Sequence, residues 1–362
     1  MMIFFRDKNL RPLKNKVLAG ERFSFEDGLT VMNSPDLLGV GALANNVRER
    51  MHGDNAYYIN NRHINPTNIC VASCQFCAFG VKENNPDAYE MTVDQVVESA
   101  RSHMNGKVSE FHLVGGLHPS WPFDTYVEII KQLHDNFPDV HLQAFTAVEI
   151  DYLTEISGLS IREVLTRLRD VGLGSLPGGG AEIFNPKIRR KICAHKATGE
   201  RWLEIHRTAH QIGMQTNCTM LYGHIESPED RINHFIQLRD LQDETGGFMT
   251  FIPLAFHPEN TAFHHLPRTT GQMDLRMLAV GRLMLDNIPH IKAFWIMITP
   301  KIAQMALSFG ADDMDGTVVE EKIIHAAGAL TEQETSKNLL IDMIREAGRV
   351  PVERDTVYNV VA

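Results

Sequence analysis

The stretch Asn68-Ile-Cys-Val-Ala-Ser-Cys-Gln-Phe-Cys-Ala-Phe-Gly80 sets out Cys70, Cys74 and Cys77 with three residues in the first gap and two in the second. It follows residues 64–69, a short β-like run read as a strand, so the cysteines fall in the loop leaving that strand. Three thiolates can hold three corners of a cubane [4Fe-4S] cluster and leave the fourth iron open to an external ligand. An iron left open is a chemical site. A structural zinc site wants four ligands, usually in two pairs, and no second pair stands nearby. Haem attachment needs a histidine where Ala78 stands. A disulfide would leave an odd cysteine and require an oxidising compartment.

Outward from this loop, short β-like runs alternate with longer amphipathic segments. Strands are expected at 64–69, 110–114, 141–145, 172–176, 215–221, 249–253, 291–295 and 311–316, and helices at 92–104, 123–137, 161–170, 200–211, 228–244, 273–287 and 300–309. Such alternation means parallel strands with right-handed crossovers. Eight units predict an α/β fold of the (β/α)8 TIM-type barrel, full or partial, over residues 61–316, with its active site at the C-terminal strand ends. Residues 1–60 read as a helical N-terminal segment. There Ser34-Pro35 offers a cap and a first-turn proline ahead of Leu37, Leu38, Val40, Leu43, Ala44, Val47 and Met51 at helical spacing, and Gly53 offers the stop. Residues 317–362 are expected to form a C-terminal extension packed on the barrel. In it Thr331-x-x-Glu334 is a capping-box pattern for a last helix ending near Gly348. Val350, Val352, Val357, Tyr358, Val360 and Val361 supply apolar surface for docking the tail.

The composition, 43% hydrophobic and 22% charged, is that of a globular protein with a sizeable core. A formal net charge of -10 argues against a general nucleic-acid binder, and Arg189-Arg190-Lys191 is too short a basic run to reverse that. The N-terminal residues lack a signal-peptide pattern and no apolar run approaches membrane-spanning length, which together predict a cytoplasmic enzyme with no membrane partner. In a reducing compartment the five cysteines read as ligands or core residues. Cys193 and Cys218, remote from the loop in sequence, read as structural.

Two glycine-rich stretches mark other strand exits. Gly115-Gly116-Leu117-His118 follows the second expected strand, where glycine lets backbone approach a ligand or simply makes a turn. Ser175-Leu-Pro-Gly-Gly-Gly-Ala-Glu182 sets Gly179 and Gly180 before a carboxylate, which suits a hydroxyl-bearing ligand, the alternative being a helix cap or ion pair. Its glycine spacing is not that of a dinucleotide fingerprint. At the next exit, Met220-Leu-Tyr-Gly-His-Ile-Glu226 offers Tyr222, His224 and Glu226. Phe76, between the last two cysteines, packs in the core or against a ligand ring; its residue type allows both.

A three-cysteine loop after a barrel's first strand resembles the radical S-adenosylmethionine (SAM) superfamily. The resemblance implies a [4Fe-4S] cluster on Cys70, Cys74 and Cys77, with S-adenosyl-L-methionine as co-substrate chelating the open iron. Reduction by an external electron donor, such as a flavodoxin or ferredoxin, then yields a 5'-deoxyadenosyl radical. It further implies cofactor contacts at Phe76, Gly115, Gly116, Gly179, Gly180, Glu182, Tyr222 and His224. The superfamily has a Gly-Gly-Glu-like segment where this chain has Gly115-Gly116-Leu117, so a glutamate role is missing there.

The segments 62–70, 177–182 and 251–261 are similar to one branch, which holds two enzymes of the futalosine route to menaquinone and the deazaflavin chromophore synthase. Leu254-Ala-Phe-His-Pro258 and Glu321-Lys-Ile-Ile-His-Ala-Ala-Gly-Ala329 most resemble the aminofutalosine synthase family. That resemblance implies addition of the radical to 3-[(1-carboxyvinyl)oxy]benzoate, whereas the cyclising and deazaflavin relatives abstract hydrogen. A small-molecule substrate with two carboxylates needs cations or donors in its pocket. Arg62, His63, His118, Arg189, His257, Arg268 and His325 are the candidates. A non-catalytic iron-sulfur carrier or sensor is the reading from another class, and it predicts no turnover of SAM.

Overall fold

The computed structural model describes residues 5–102 and 107–361. It opens with α1 (Leu10–Ala19), α2 (Phe25–Asn33) and α3 (Leu37–His52), then β1 (Asn55–Ile59) and β2 (Asn61–Ile64). There follow α4 (Val93–Arg101), β3 (Glu110–Leu113), α5 (Phe123–Asn136), β4 (His141–Ala144), α6 (Ala147–Ser157), α7 (Ile161–Asp170) and β5 (Leu173–Ser175). The second half has α8 (Pro186–Ile192), α9 (Gly199–Gln211), β6 (Thr216–Tyr222), α10 (Pro228–Thr245), β7 (Phe248–Ala255), α11 (Gly271–Met284) and β8 (His290–Ile291). Last come α12 (Trp295–Ile298), α13 (Pro300–Ala306), β9 (Asp313–Gly316), α14 (Ile323–Ala327), α15 (Lys337–Glu346) and β10 (Val350–Glu353).

Neighbouring strands pair in parallel, in three groups: β2-β3-β4-β5, β6-β7-β8 and β10-β1-β9. Single parallel bridges join them, Leu176 to Thr216, Lys292 to Asp313 and Arg62 to Val319. The circuit from β2 through β9 back to β2 is therefore closed, as a (β/α)8 barrel requires. β1 and β2 are one extended path interrupted at Asn60: the first part pairs with β9, the second with β3. β10 lies outside the circuit, paired with β1 from Asn55↔Val350 to Tyr58↔Glu353.

Local chemistry explains the element ends. Ser24, Thr92, Thr146, Ser160 and Ser227 each cap a helix reciprocally with an acidic or Gln residue three positions on, at about 1 kcal/mol per cap. In α7 the buried Ile161, Val164, Leu165 and Leu168 follow helical spacing and face the sheet side. The strand expected at 64–69 lies earlier, because Pro66 has no N–H for the ladder and Asn65 Nδ2 instead donates to Val114 O at 2.8 Å. α3 starts at Leu37 under Asp36, whose Oδ1 accepts from Gly39 N at 3.0 Å. The expected cap, Ser34, is occupied by Asp7 at 2.7 Å. Gly53 does end that helix, with φ 58°. α4 ends at Arg101; positions 103 and 104 of the expected helix lie outside the described residues. α15 is capped by Ser336, since the Thr331 hydroxyl donates to Ile296 O at 2.9 Å.

The tail docks by polar groups more than by its valines. Arg354 Nε donates to the buried Asp313 at 2.6 Å, and the Tyr358 ring stacks on His290 at 3.6 Å. Val350 and Val360 stay exposed.

Candidate active site

Every strand of the circuit leaves the barrel at the same end, and the loops there enclose a cavity of about 300 Å³. The cysteine loop forms part of its wall through Cys70, Cys74, Phe76, Cys77 and Gly80. Backbone bonds hold that loop from several sides. Cys70 N donates to Val81 O at 2.9 Å, Val71 N to Leu117 O at 2.9 Å, Gln75 N to Ile192 O at 2.8 Å, and Ala262 N to Gln75 O at 2.9 Å.

All three cysteines are free thiols, half-buried. Leu117 N points at Cys70 Sγ and Gly80 N at Cys77 Sγ, each at 3.4 Å. Burial pushes the Cys74 thiol up to about 11, so a thiolate there needs a cation to form. Cys193 and Cys218 are buried and absent from the cavity wall. Three sulfurs on one loop, two of them already receiving N–H groups, fit a cubane cluster with one open iron.

The glycines at the neighbouring exits are required by the chain's own packing. A Cβ on Gly116 would lie 2.1 Å from Ile69 O, and one on Gly178 2.6 Å from the Cys218 backbone. Gly180 has φ +84° and faces Val148 Cγ2 at 2.4 Å; Gly179 faces Thr146 Cγ2 at 2.8 Å. Gly115 is looser, at 3.2 Å from Thr67 O. Gly115, Gly116, Gly179 and Gly180 all line the cavity.

Glu182, buried and at φ 46°, pairs with Lys196 Nζ at 2.9 Å, and that ammonium sits 4.9 Å over the Phe76 ring. The ion pair is the competing reading offered for Glu182, whose carboxylate also lines the cavity. The carboxylate that sequence reading missed is Glu149, which lines the cavity and accepts from Gly115 N at 3.1 Å and Thr146 N at 2.7 Å. Burial pushes it up to about 7. Thr146-Ala-Val-Glu149, a capping box directly after a strand, was the signal that could have found it. Lys196 carried no such signal.

The barrel interior forms a polar floor. His63 and His112 stack at 4.5 Å, Asn217 Nδ2 donates to Gln143 Oε1 at 3.2 Å, and Lys292 Nζ donates to Asp315 at 2.8 Å. Burial lowers both histidines below their ordinary range, so they are neutral. The upper wall is apolar: Leu254, Phe256, Phe294, Met297, Ile323 and Ile324.

Of the expected substrate contacts, His63 and His257 lie in the wall. The others are placed outside it, each engaged by carbonyls or carboxylates of its own surroundings. Arg62 donates to the Ser102 carbonyl and to Glu320 at 3.1 Å. His118 is 3.0 Å from Glu90 and stacks on Trp121. Arg189 grips the carbonyls of Gly180, Ala181 and Ala197. Arg268 pairs with Glu259 and donates to Gly328 O at 2.8 Å. His325 is held by Glu321 at 3.1 Å and Thr331 O at 2.8 Å. Two expected cofactor contacts are also outside the wall. Tyr222 donates to the buried Asp274 at 2.8 Å, and His224 Nε2 bonds Leu221 O at 3.2 Å.

Residues 64–238 match the family model described as radical SAM superfamily, and 245–362 match the CofH/MqnC C-terminal region. An aminodeoxyfutalosine synthase of Thermus thermophilus is 49% identical over 358 residues, 98% of this chain and 96% of that protein. Its counterpart in Streptomyces coelicolor is 45% identical over 97% of this chain and 93% of its own length. The crystal structure of methylornithine synthase, at 17% identity, shares the fold with a TM-score of 0.75 over 94% of this chain and 97% of its own. Among the described residues no helix is long and apolar enough to cross a membrane. This chain belongs to the radical SAM superfamily, in the branch that holds the aminodeoxyfutalosine synthases.

Proposed function

We propose that this chain joins the 5'-deoxyadenosyl group of SAM to 3-[(1-carboxyvinyl)oxy]benzoate, with rearrangement and decarboxylation, giving 6-amino-6-deoxyfutalosine and methionine. The carrying observation is near-full-length identity of 49% to an aminodeoxyfutalosine synthase, on a chain whose cavity wall contains the three-cysteine loop. When bound there, the cluster and SAM supply the 5'-deoxyadenosyl radical.

The chain's residues bind, orient and exclude water. Cys70, Cys74 and Cys77 would hold the cluster, with the Leu117 and Gly80 N–H groups directed at two of the sulfurs. Phe76, Gly115, Gly116, Gly179, Gly180 and Glu182 share the wall nearest that loop, and we assign them to SAM. The apolar upper wall suits the aromatic ring and keeps water from a reactive radical. Since the arginines expected to grip the carboxylates are engaged elsewhere, the floor supplies the donors. Among the described residues Lys292 has one carboxylate partner for three N–H groups, and His63 lies in the same wall. We place the reaction in the cytoplasm, in the futalosine route to menaquinone, with a one-electron donor approaching from outside the cysteine loop.

The test is anaerobic turnover of iron- and sulfide-reconstituted protein with SAM, reductant and the benzoate substrate, followed by mass spectrometry. The expected product keeps the adenosyl skeleton and appears with methionine. Release of 5'-deoxyadenosine without adduct would move the chain to a hydrogen-abstracting relative, and absence of SAM cleavage by a reduced cluster would leave an electron carrier or sensor.

A further inference from the structure

The floor of the cavity is short of positive charge for an anionic ligand. Its charged groups are the Lys292 ammonium, the Asp315 carboxylate bonded to it at 2.8 Å, and Glu110, buried at the start of β3. Burial works against the Glu110 anion, yet Lys292, His112 and Arg354 together hold its carboxyl below the usual range. Arg354 is itself paired with Asp313 at 2.6 Å, and burial keeps His141 neutral. With His63 and His112 neutral as well, one cation in the floor faces two carboxylates. A further carboxylate entering this site calls for a compensating proton.

The two rings are not equivalent places for that proton. Gln143 Nε2 donates to Ser175 Oγ at 3.1 Å and its Oε1 accepts from Asn217 Nδ2 at 3.2 Å, so it is the amide oxygen that lies 3.1 Å from His112 Nδ1. His112 Nδ1 therefore carries the hydrogen, and Nε2 keeps a lone pair with no partner among the described residues. The His112 side chain lines the cavity and is 19% exposed, and Glu110 Oε1 lies 4.0 Å from the ring. A proton added at Nε2 thus has an anion beside it. His63, stacked on His112 at 4.5 Å, has no such neighbour: the charges acting on it are Lys292 and a protonated His112. Asp315 would lose its ion pair on protonation. The stacked pair takes one proton, on His112.

We propose that the ring carboxylate of the benzoate substrate binds to Lys292 and His112, and that His112 Nε2 takes up a proton from solvent as it binds. The inference rests on the reaction proposed above, which needs the vinyl group beside SAM at the cysteine loop and so sends the ring carboxylate to the far, floor end. The proton turns a lone pair that would repel the anion into a charge-assisted donor. It returns to solvent when the product, which keeps that carboxylate, leaves. A neutral ring brings neither the proton nor the bond, so the floor selects for ring-carboxylated ligands.

The test is calorimetry on the cluster-loaded chain saturated with SAM, anaerobic and without reductant so that nothing turns over. Substrate is titrated at about pH 7.5 in buffers of differing ionisation enthalpy, which counts the protons exchanged on binding. About one proton is expected to be taken up per substrate, with affinity falling about tenfold per pH unit as pH rises above the free ring's titration, itself below ~6.5. H112Q is expected to bind the substrate about tenfold or more weakly and without uptake. 2-Phenoxyacrylate keeps the vinyl carboxylate and lacks the ring one; the parent chain should bind it about tenfold or more weakly and without uptake, a comparison that needs no variant. Substrate binding with no uptake, 2-phenoxyacrylate binding as tight as the substrate's, or uptake that persists with H112Q or 2-phenoxyacrylate would overturn the proposal. Persistence would put the proton on another group, such as Glu149, which burial pushes up to about 7 in the same wall. If the substrate does not bind at all, the proposed reaction falls and this inference with it, whereas binding without uptake sinks the inference alone.

Discussion

Gly116→Ala and Gly115→Ala add the same methyl one residue apart, and the structure assigns them different costs. At Gly116 the methyl would meet Ile69 O at 2.1 Å and Ile69 C at 2.7 Å, both backbone. Reaching ordinary contact requires a shift of about 1 Å between the β3 exit and the cysteine loop, well beyond what a packed backbone gives freely. The bonds crossing that gap, Gly116 N to Thr67 O at 2.8 Å and Val71 N to Leu117 O at 2.9 Å, stretch with it. Overpacking at about 1–3 kcal/mol, with about 1 kcal/mol for a weakened bond, gives a destabilisation of about 3 kcal/mol. At Gly115 the contact is Thr67 O at 3.2 Å, which neighbours can yield to, and the cost is under about 1 kcal/mol. Urea unfolding of the cluster-free chains measures both. If the glycines serve ligand approach alone, the two variants will unfold like the parent and lose SAM affinity equally, and the packing argument is refuted.

Removing any one of Cys70, Cys74 or Cys77 as alanine should abolish cluster incorporation, read as iron content and visible absorbance, while Cys193→Ala and Cys218→Ala retain it. Lys196→Met leaves the buried Glu182 carboxylate without its ammonium at 2.9 Å, and should cost about 3–5 kcal/mol in urea unfolding, with Lys196→Met/Glu182→Gln recovering most of it. A wild-type-like K196M curve would show that the pair is solvated. The His325 imidazole is raised to about 8 by its bond to Glu321, so its contribution to stability is fully present below about 6.5 and is lost as pH rises through about 8. With solvent reaching the ring, that contribution is about 1 kcal/mol. Hydrogen exchange in α14, corrected for intrinsic rates, should therefore speed up across that interval; a flat profile would contradict the assignment.

The barrel was legible because short β-like runs alternate along the chain with longer amphipathic segments. The misses have local causes. Pro66 ended β2 early, and Thr331 spent its hydroxyl on Ile296 O, so the capping box at 331–334 opened no helix. Neither partner is visible in a one-dimensional pattern. The cysteine loop declared itself by spacing, which is set by local backbone reach. The carboxylate contacts did not, because any arginine is a candidate until its neighbours are known. Arg62, Arg189 and Arg268 are held by Glu320, by backbone carbonyls and by Glu259, groups that lie far off or carry no sequence signature. Lys292 and Asp315 meet only because β8 and β9 adjoin. Glycine richness allows room for a ligand or a plain turn, and at Gly116 and Gly178 it is first of all room for the chain itself.

The central claim is that the adenosyl group ends in the product. The direct measurement is single turnover with SAM carrying isotopic label in its ribose, the benzoate substrate and the reduced, reconstituted chain, with labelled species quantified by mass spectrometry. One labelled adduct, decarboxylated relative to the sum of its parts, is expected for each methionine formed. Label recovered as 5'-deoxyadenosine, with the benzoate substrate intact or merely oxidised, would contradict it.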